Sequence, residues 1–122
     1  MNALTVYFMV SYDIVDVEAF AQYPPRVMAL LSKYGGEILA SDTEAICVEG
    51  IARTMNAILK FPSQKAASDC YNDPEYQAEI KPNRIRSTKN CTMVLVQQFA
   101  GAAACQCPVF EAAKRPNMNS RG

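Results

Sequence analysis

The chain has 122 residues, with twelve basic side chains balanced by twelve acidic ones and no histidine. That length supports one domain with a single core that needs no metal or disulfide to hold it. Balanced charge without a basic run argues against a nucleic-acid partner, and no apolar run reaches the ~20 residues of a membrane span.

Residues 5–13 alternate as a strand. Val6, Phe8, Val10 and Tyr12 face one way, and Tyr7, Met9 and Ser11 face the other. Both faces carry large apolar or aromatic groups, so the strand is expected to be covered on both sides. The apolar stretch at 3–10 has no basic residues before it and alternates, so it is not a signal peptide, and a cytoplasmic location is expected. Asp16 is placed to cap a helix bearing Phe20, Val27, Leu30, Leu31 and Tyr34 on one side. Pro24-Pro25 interrupts it, because neither proline can donate to the carbonyl four residues back. The expectation is a turn or short helical piece before Pro24 and a main helix from there to Tyr34. Gly35-Gly36 then ends it with a left-handed cap.

Residues 37–41 and 45–49 are expected as short strands split by Asp42-Thr43, with a loop at 50–53 and a further strand over Met55–Phe61. Ser63 supplies an oxygen to cap a helix over Gln64–Tyr71. Asp73-Pro74-Glu75 restarts a helix: an N-cap acid, a proline whose missing N–H costs nothing, and an acid facing the dipole. That helix is expected to run to about Ile80, where Lys81-Pro82-Asn83 breaks the pattern. Residues 91–98 form the last strand.

This order predicts an α+β fold, the ferredoxin-like split βαβ arrangement with one antiparallel sheet and both helices on one face. The bare second face carries groups too apolar for water, so pairing of two sheets in a homodimer is expected. The domain is placed at residues 1–98. Residues 99–122 have little periodicity and are read as a flexible tail.

Five cysteines without secretory context read as reduced thiols. Cys47, Cys70 and Cys91 sit among apolar neighbours and read as core residues. Cys105 and Cys107 form a close thiol pair able to bind a soft metal or to oxidise, but the motif is short, lies outside the expected fold and lacks the partner ligands a zinc site needs. No motif calls for a metal or a cofactor, and Gly35-Gly36 is a helix cap rather than a phosphate loop.

Without histidine, chemistry falls to carboxylates, tyrosines, lysines, arginines or thiols. Glu49, at the end of an expected strand, is the leading candidate base if a pocket desolvates it; the plain alternative is an acid facing water or an arginine. Tyr12 and Asp13 end the first strand, where a pocket mouth would lie, and Tyr7 lies deeper. A phenol there orients a carbonyl or simply packs across strands. Lys60 is a base or Schiff-base nucleophile if buried, and a snorkelling surface group otherwise. Arg84, Arg86 and Arg53 are forks for a substrate carboxylate or members of exposed ion pairs. Tyr71 and Tyr76 read as packing groups.

Asp16…Phe20, Tyr34-Gly35-Gly36, Val48-Glu49-Gly50, Phe61-Pro62-Ser63, Ala66 and Tyr71-Asn72-Asp73-Pro74-Glu75-Tyr76-Gln77 stand together in this chain. On these residues, 5–98 resembles the family called domain of unknown function 1330. The resemblance implies the dimeric α+β barrel group, in which two ferredoxin-like subunits close their sheets into one barrel. That wider group includes monooxygenases, lactone isomerases, polyketide cyclases and pure binding or stability factors, so fold and dimerisation are implied more strongly than activity. The chain departs from the family pattern at Lys60, where an acid is usual, at Cys70 in place of Trp, and at Ser41-Asp42-Thr43 in place of an Arg-Gly-Gly-like turn. The tail also runs past the usual family end.

The functional expectation is a cofactor-free isomerase, cyclase or hydrolase acting on a small lactone or carbonyl compound. Glu49, Tyr12 and Lys60 are its candidate catalytic groups, and Arg84, Arg53, Tyr7 and Asp13 its candidate substrate-binding groups. The alternative is a binding or accessory dimer without chemistry. A cavity with converging polar groups separates the two from a packed structural module.

Overall fold

A computed structural model describes residues 4–99. In chain order these form β1 (Val6–Ile14), α1 (Val17–Phe20), α2 (Tyr23–Lys33), β2 (Glu37–Asp42), β3 (Met55–Phe61), α3 (Gln64–Tyr71), a π-helical turn (Tyr76–Ile80), α4 (Lys81–Ser87) and β4 (Thr88–Gln97). The four strands make one antiparallel sheet in the order β2-β3-β1-β4, so β3 is inserted between β1 and β2. This is the mixed α+β architecture that the order of elements predicts.

The helices start and stop where local chemistry directs. Asp16 Oδ1 accepts from the Ala19 N–H at 3.1 Å and opens α1. Pro24 and Pro25 fall in the first turn of α2, where backbone donors have no intrahelical partner to lose. At the far end Gly35 takes φ +73°, and the Gly36 and Gly35 N–H groups return to the Leu31 and Ser32 carbonyls. Glycine reaches that left-handed conformation without a Cβ penalty. Ser63 caps α3 through Ala66 N at 3.0 Å.

One sheet face is the core wall. Val6, Val10 and Tyr12 of β1 and Met55 and Phe61 of β3 pack with Tyr23, Leu30 and Leu31 of α2, with Ala67 and Cys70 of α3, and with Tyr76 and Ile80. The opposite face is open: Met9, Val94 and Val96 are 40–48 % exposed on it. Expectation and structure agree on that apolar second face.

Three local expectations are corrected. Residues 45–49 are not a strand but part of a loop over 43–54, in which Ile46 and Val48 are about nine-tenths exposed. Asp42 Oδ1 accepts from the Glu44 N–H at 2.7 Å and turns the chain away from the sheet edge, so this apolar segment finds no partner strand. Second, Lys81-Pro82-Asn83 does not end the helix. The Lys81 N–H bonds back to the Tyr76 carbonyl five residues earlier, and this wider turn accommodates Pro82 before α4 continues. Arg84 and Arg86 are therefore helical rather than in a following loop. Third, of the cysteines read as core, Cys70 is buried but Cys47 and Cys91 are exposed. Cys105, Cys107 and nearly all of the predicted tail lie outside the described residues.

Candidate functional site

Between the sheet and the helices, three tyrosines and one arginine converge from four elements. Tyr12 arrives on β1, Tyr23 on the first turn of α2, Tyr76 on the π-helical turn and Arg84 on α4. All four are buried, and the Tyr23 and Tyr76 hydroxyls stand 2.9 Å apart. Phe20 bridges the rings, 5.7 Å from Tyr12 and 5.6 Å from Tyr23 between centroids. The β1–β4 register shifts between Ser11 and Asp13, next to Asn90 at φ +59°, so the end of β1 carrying Tyr12 sits at a bulge.

Arg84 is the unusual member. It is only 5 % exposed, forms no salt bridge among the described residues, and its Nε is buried without a partner. Its neighbour Asn83 binds the Ala19 carbonyl at 3.0 Å through Nδ2, while its Oδ1 is also buried and unpartnered. The backbone there is held firmly: the Arg84 carbonyl accepts from Thr88 Oγ1 at 2.7 Å. Burial opposes the guanidinium charge, but Tyr76, Tyr23 and Cys91 outweigh it and lift Arg84 above its ordinary pKa. Desolvating an unpaired cation costs several kcal/mol, so such a group calls for an explanation beyond packing. Burial also pushes the phenols of Tyr12 and Tyr23 upward, against the lowering influence of Arg84 on each.

Two cavities open beside this cluster, of about 50 and 90 Å³. Tyr23 and Tyr76 line the smaller, Tyr12 and Tyr23 the larger, and both share Val10, Val27, Leu59 and Met93 as walls. A wider concavity of about 380 Å³ lies on the opposite, open sheet face and is lined by Met9, Ile58 and Val94 with Ser11, Asn56 and Thr92. Their position beside the Tyr12, Tyr23, Tyr76 and Arg84 cluster makes the inner pair, whose walls are largely apolar, the candidate site. Among the described residues no group of three or more histidine, cysteine or carboxylate side chains is arranged to hold a metal.

The structure separates the residues that the sequence singled out. Tyr12 and Arg84 meet in the inner cluster. Asp13 and Arg53 meet each other instead: Arg53 Nη1 donates to Asp13 Oδ2 at 3.2 Å, and Asp13 also accepts from Asn90 at 2.9 Å and the Thr54 N–H at 3.0 Å. Those bonds pin loop 43–54 to the bulge and hold the Asp13 carboxyl below its usual range, the Asn90 bond foremost. Tyr7 and Lys60 are cross-strand neighbours on the open face, with Glu37 beyond Lys60. Glu49 is exposed in loop 43–54, at the end of no strand and in the lining of none of these cavities. Its candidacy rested on a strand that does not form.

Tyr23 and Tyr76 are the members that sequence reasoning did not promote. Tyr76 belongs to the Asp73-Pro74-Glu75-Tyr76 restart, and Tyr23 directly precedes the proline pair. A tyrosine fixed at the first turn of each of two helices was the available signal.

The model of the family described as "Domain of unknown function (DUF1330)" matches residues 5–99. Among solved structures, the RPA0582 protein of Rhodopseudomonas palustris, of unknown function, is similar with a TM-score of 0.69 and 14% identity, over 80% of this chain and 85% of that one. The methylated form of RPA0582 gives a TM-score of 0.70 at 14% identity, over 80% of this chain and 82% of that one. An uncharacterized NIPSNAP-like domain protein from Burkholderia xenovorans is similar at a TM-score of 0.54 and 14% identity, covering 82% and 89%. Identities this low show a shared fold alone. No curated protein matches the chain.

Proposed function

This chain belongs to the family known as domain of unknown function 1330, and we propose that it is a homodimer in which each subunit takes up a small organic molecule between its sheet and its helices. The observation that carries the reading is the Tyr23–Tyr76 pair, two residues that line one cavity, with their buried hydroxyls 2.9 Å apart and Arg84 beside them. Phenol donors backed by a buried cation suit an oxygen that carries or gains negative charge, as a lactone or ketone oxygen does during isomerisation, cyclisation or hydrolysis. A cofactor-free enzyme on a small lactone or carbonyl compound fits these donors. Binding without chemistry is the second reading, favoured by the lack of a carboxylate or lysine in either cavity wall.

Dimerisation is supported by the open sheet face, where Met9, Val94 and Val96 lie in water in an isolated subunit. No helix among the described residues is long and apolar enough to cross a membrane. We place the protein in the cytoplasm, a compartment that keeps free thiols such as those of Cys47, Cys70 and Cys91 reduced.

The test is a panel of small lactones, ketones and carboxylic acids, screened for thermal stabilisation and for turnover against the wild type and Tyr23→Phe. A ligand whose stabilisation falls in Tyr23→Phe supports the inner cavity; conversion that falls with it supports an enzyme. A ligand that stabilises both equally places the site elsewhere.

A further inference from the structure

Apolar surface stands in water at a second place, loop 43–54. Ile46, Val48 and Ile51 are 81–92 % exposed, more than any other large hydrophobic side chain among the described residues. A single exposed aliphatic needs no explanation, but three within six positions of one loop make a patch. The tip of the loop has a set shape: Cys47 Sγ donates to the Gly50 carbonyl at 3.3 Å, across a turn in which Gly50 takes φ +91°. Both feet are fastened to carboxylates of the open sheet face. Strand pairing lines up Asp42, Asn56, Ser11 and Thr92 as one row of that face, with rows through Met9 and through Tyr7 beyond it. Asp13 continues the series Tyr7, Met9, Ser11 along β1. Asp42 Oδ1 accepts from the Glu44 N–H at 2.7 Å, and Asp13 accepts from Arg53 Nη1 at 3.2 Å and the Thr54 N–H at 3.0 Å. The loop therefore leaves and rejoins the sheet on its open side, away from the helices.

Resting on the open face being the dimer interface, we infer that loop 43–54 is an arm that grips the second copy of this chain, burying Ile46, Val48 and Ile51 against it. Area argues for the arm. Three rows on four strands, at about 3.4 Å per residue and about 4.8 Å per strand, give a footprint of roughly 400 Å². A stable interface removes about 800 Å² from each partner, so the sheet face alone falls short and the loop at its margin adds apolar surface. Position argues for a second copy as the occupant. A subunit laid on the open face comes to lie beside both feet of the loop, and two-fold symmetry gives each copy the other's arm. A loop already shaped by its own bonds loses little conformational freedom on docking.

The test is sedimentation equilibrium on the full chain, comparing the wild type with the double variant Ile46→Ser, Val48→Ser and with Val94→Glu on the sheet face. The double variant is expected to dimerise about tenfold more weakly or worse, with unchanged circular dichroism. Hydrogen exchange reads the same contact without a loop substitution, and it decides the case in which the double variant fails to fold. Amides of residues 45–52 should exchange more slowly in the wild-type dimer than in the Val94→Glu monomer. Suppose Val94→Glu splits the dimer, the double variant dimerises like the wild type, and loop exchange is equal in dimer and monomer. That result overturns the arm and leaves the sheet-face interface standing. A monomeric wild type, or a dimer that survives Val94→Glu, overturns the arm together with the interface it rests on.

Discussion

The Tyr34 hydroxyl donates to Asp73 Oδ2, tying the last turn of α2 to the segment that opens the π-helical turn. Lys33 reaches the same oxygen at 3.2 Å, while Asp73 Oδ1 accepts from the Glu75 and Tyr76 N–H groups at 2.8 and 3.3 Å. One buried carboxylate thus caps a helix, anchors a second, and sets where Tyr76 stands. Tyr34 and Asp73 are both part of the family-like motifs, and this contact gives those motifs a structural reason.

Asp73 should make the fold acid-sensitive. The Tyr34 hydrogen bond, followed by Lys33 and the helix N–H groups, holds its pKa at about 2 against an ordinary 3.8. A depressed carboxylate stabilises above its unfolded pKa and loses that contribution as pH falls through its folded value. The melting temperature should therefore drop between about pH 4 and pH 2. Asp73→Asn should melt lower at pH 6 and lose most of that step; an identical acid profile would remove Asp73 as its source.

Gly36 is held by packing. A Cβ there would stand 2.7 Å from Phe61 Cε1 and 3.0 Å from Leu31 Cδ2, both in the core. Gly36→Ala is expected to cost about 1–3 kcal/mol in urea unfolding, the usual range for overpacking a filled site. A neutral result would mean that the Phe61 ring swings aside freely.

The open sheet face gives a test of assembly. Light scattering should return twice the monomer mass, and Val94→Glu, a charge placed opposite Met9 on that face, should return the monomer with unchanged circular dichroism. A monomeric wild type at micromolar concentration would leave the apolar face without its partner.

Glu49→Gln should leave folding, melting temperature and ligand binding unaltered, because the side chain is exposed and lines no described cavity. A large loss of activity in this variant would return loop 43–54 to the site.

Local chemistry written in the chain decided where its elements begin and end. Asp16, Ser63 and Asp73 cap because a side-chain oxygen reaches its own backbone within three residues. Pro24-Pro25 and Gly35-Gly36 bound α2 for reasons that need no distant neighbour, and the period-two pattern of β1 gave both its core face and its bare one. Such short-range interactions are legible in sequence. What failed depended on partners far along the chain. The apolar segment 45–49 has strand composition, yet no sheet edge is available to it. Pro82 is carried by a widened turn whose stability comes from packing of Tyr76 and Ile80 into the core. The candidate site followed the same division. Tyr12 and Arg84 were legible as chemistry-bearing residues, but 72 positions separate them, and only the packing of α2, the π-helical turn and α4 onto β1 placed Tyr23 and Tyr76 with them. That packing also set Lys60 and Tyr7 on the opposite face and paired Asp13 with Arg53, because strand direction and register, not residue type, decide which side chains meet.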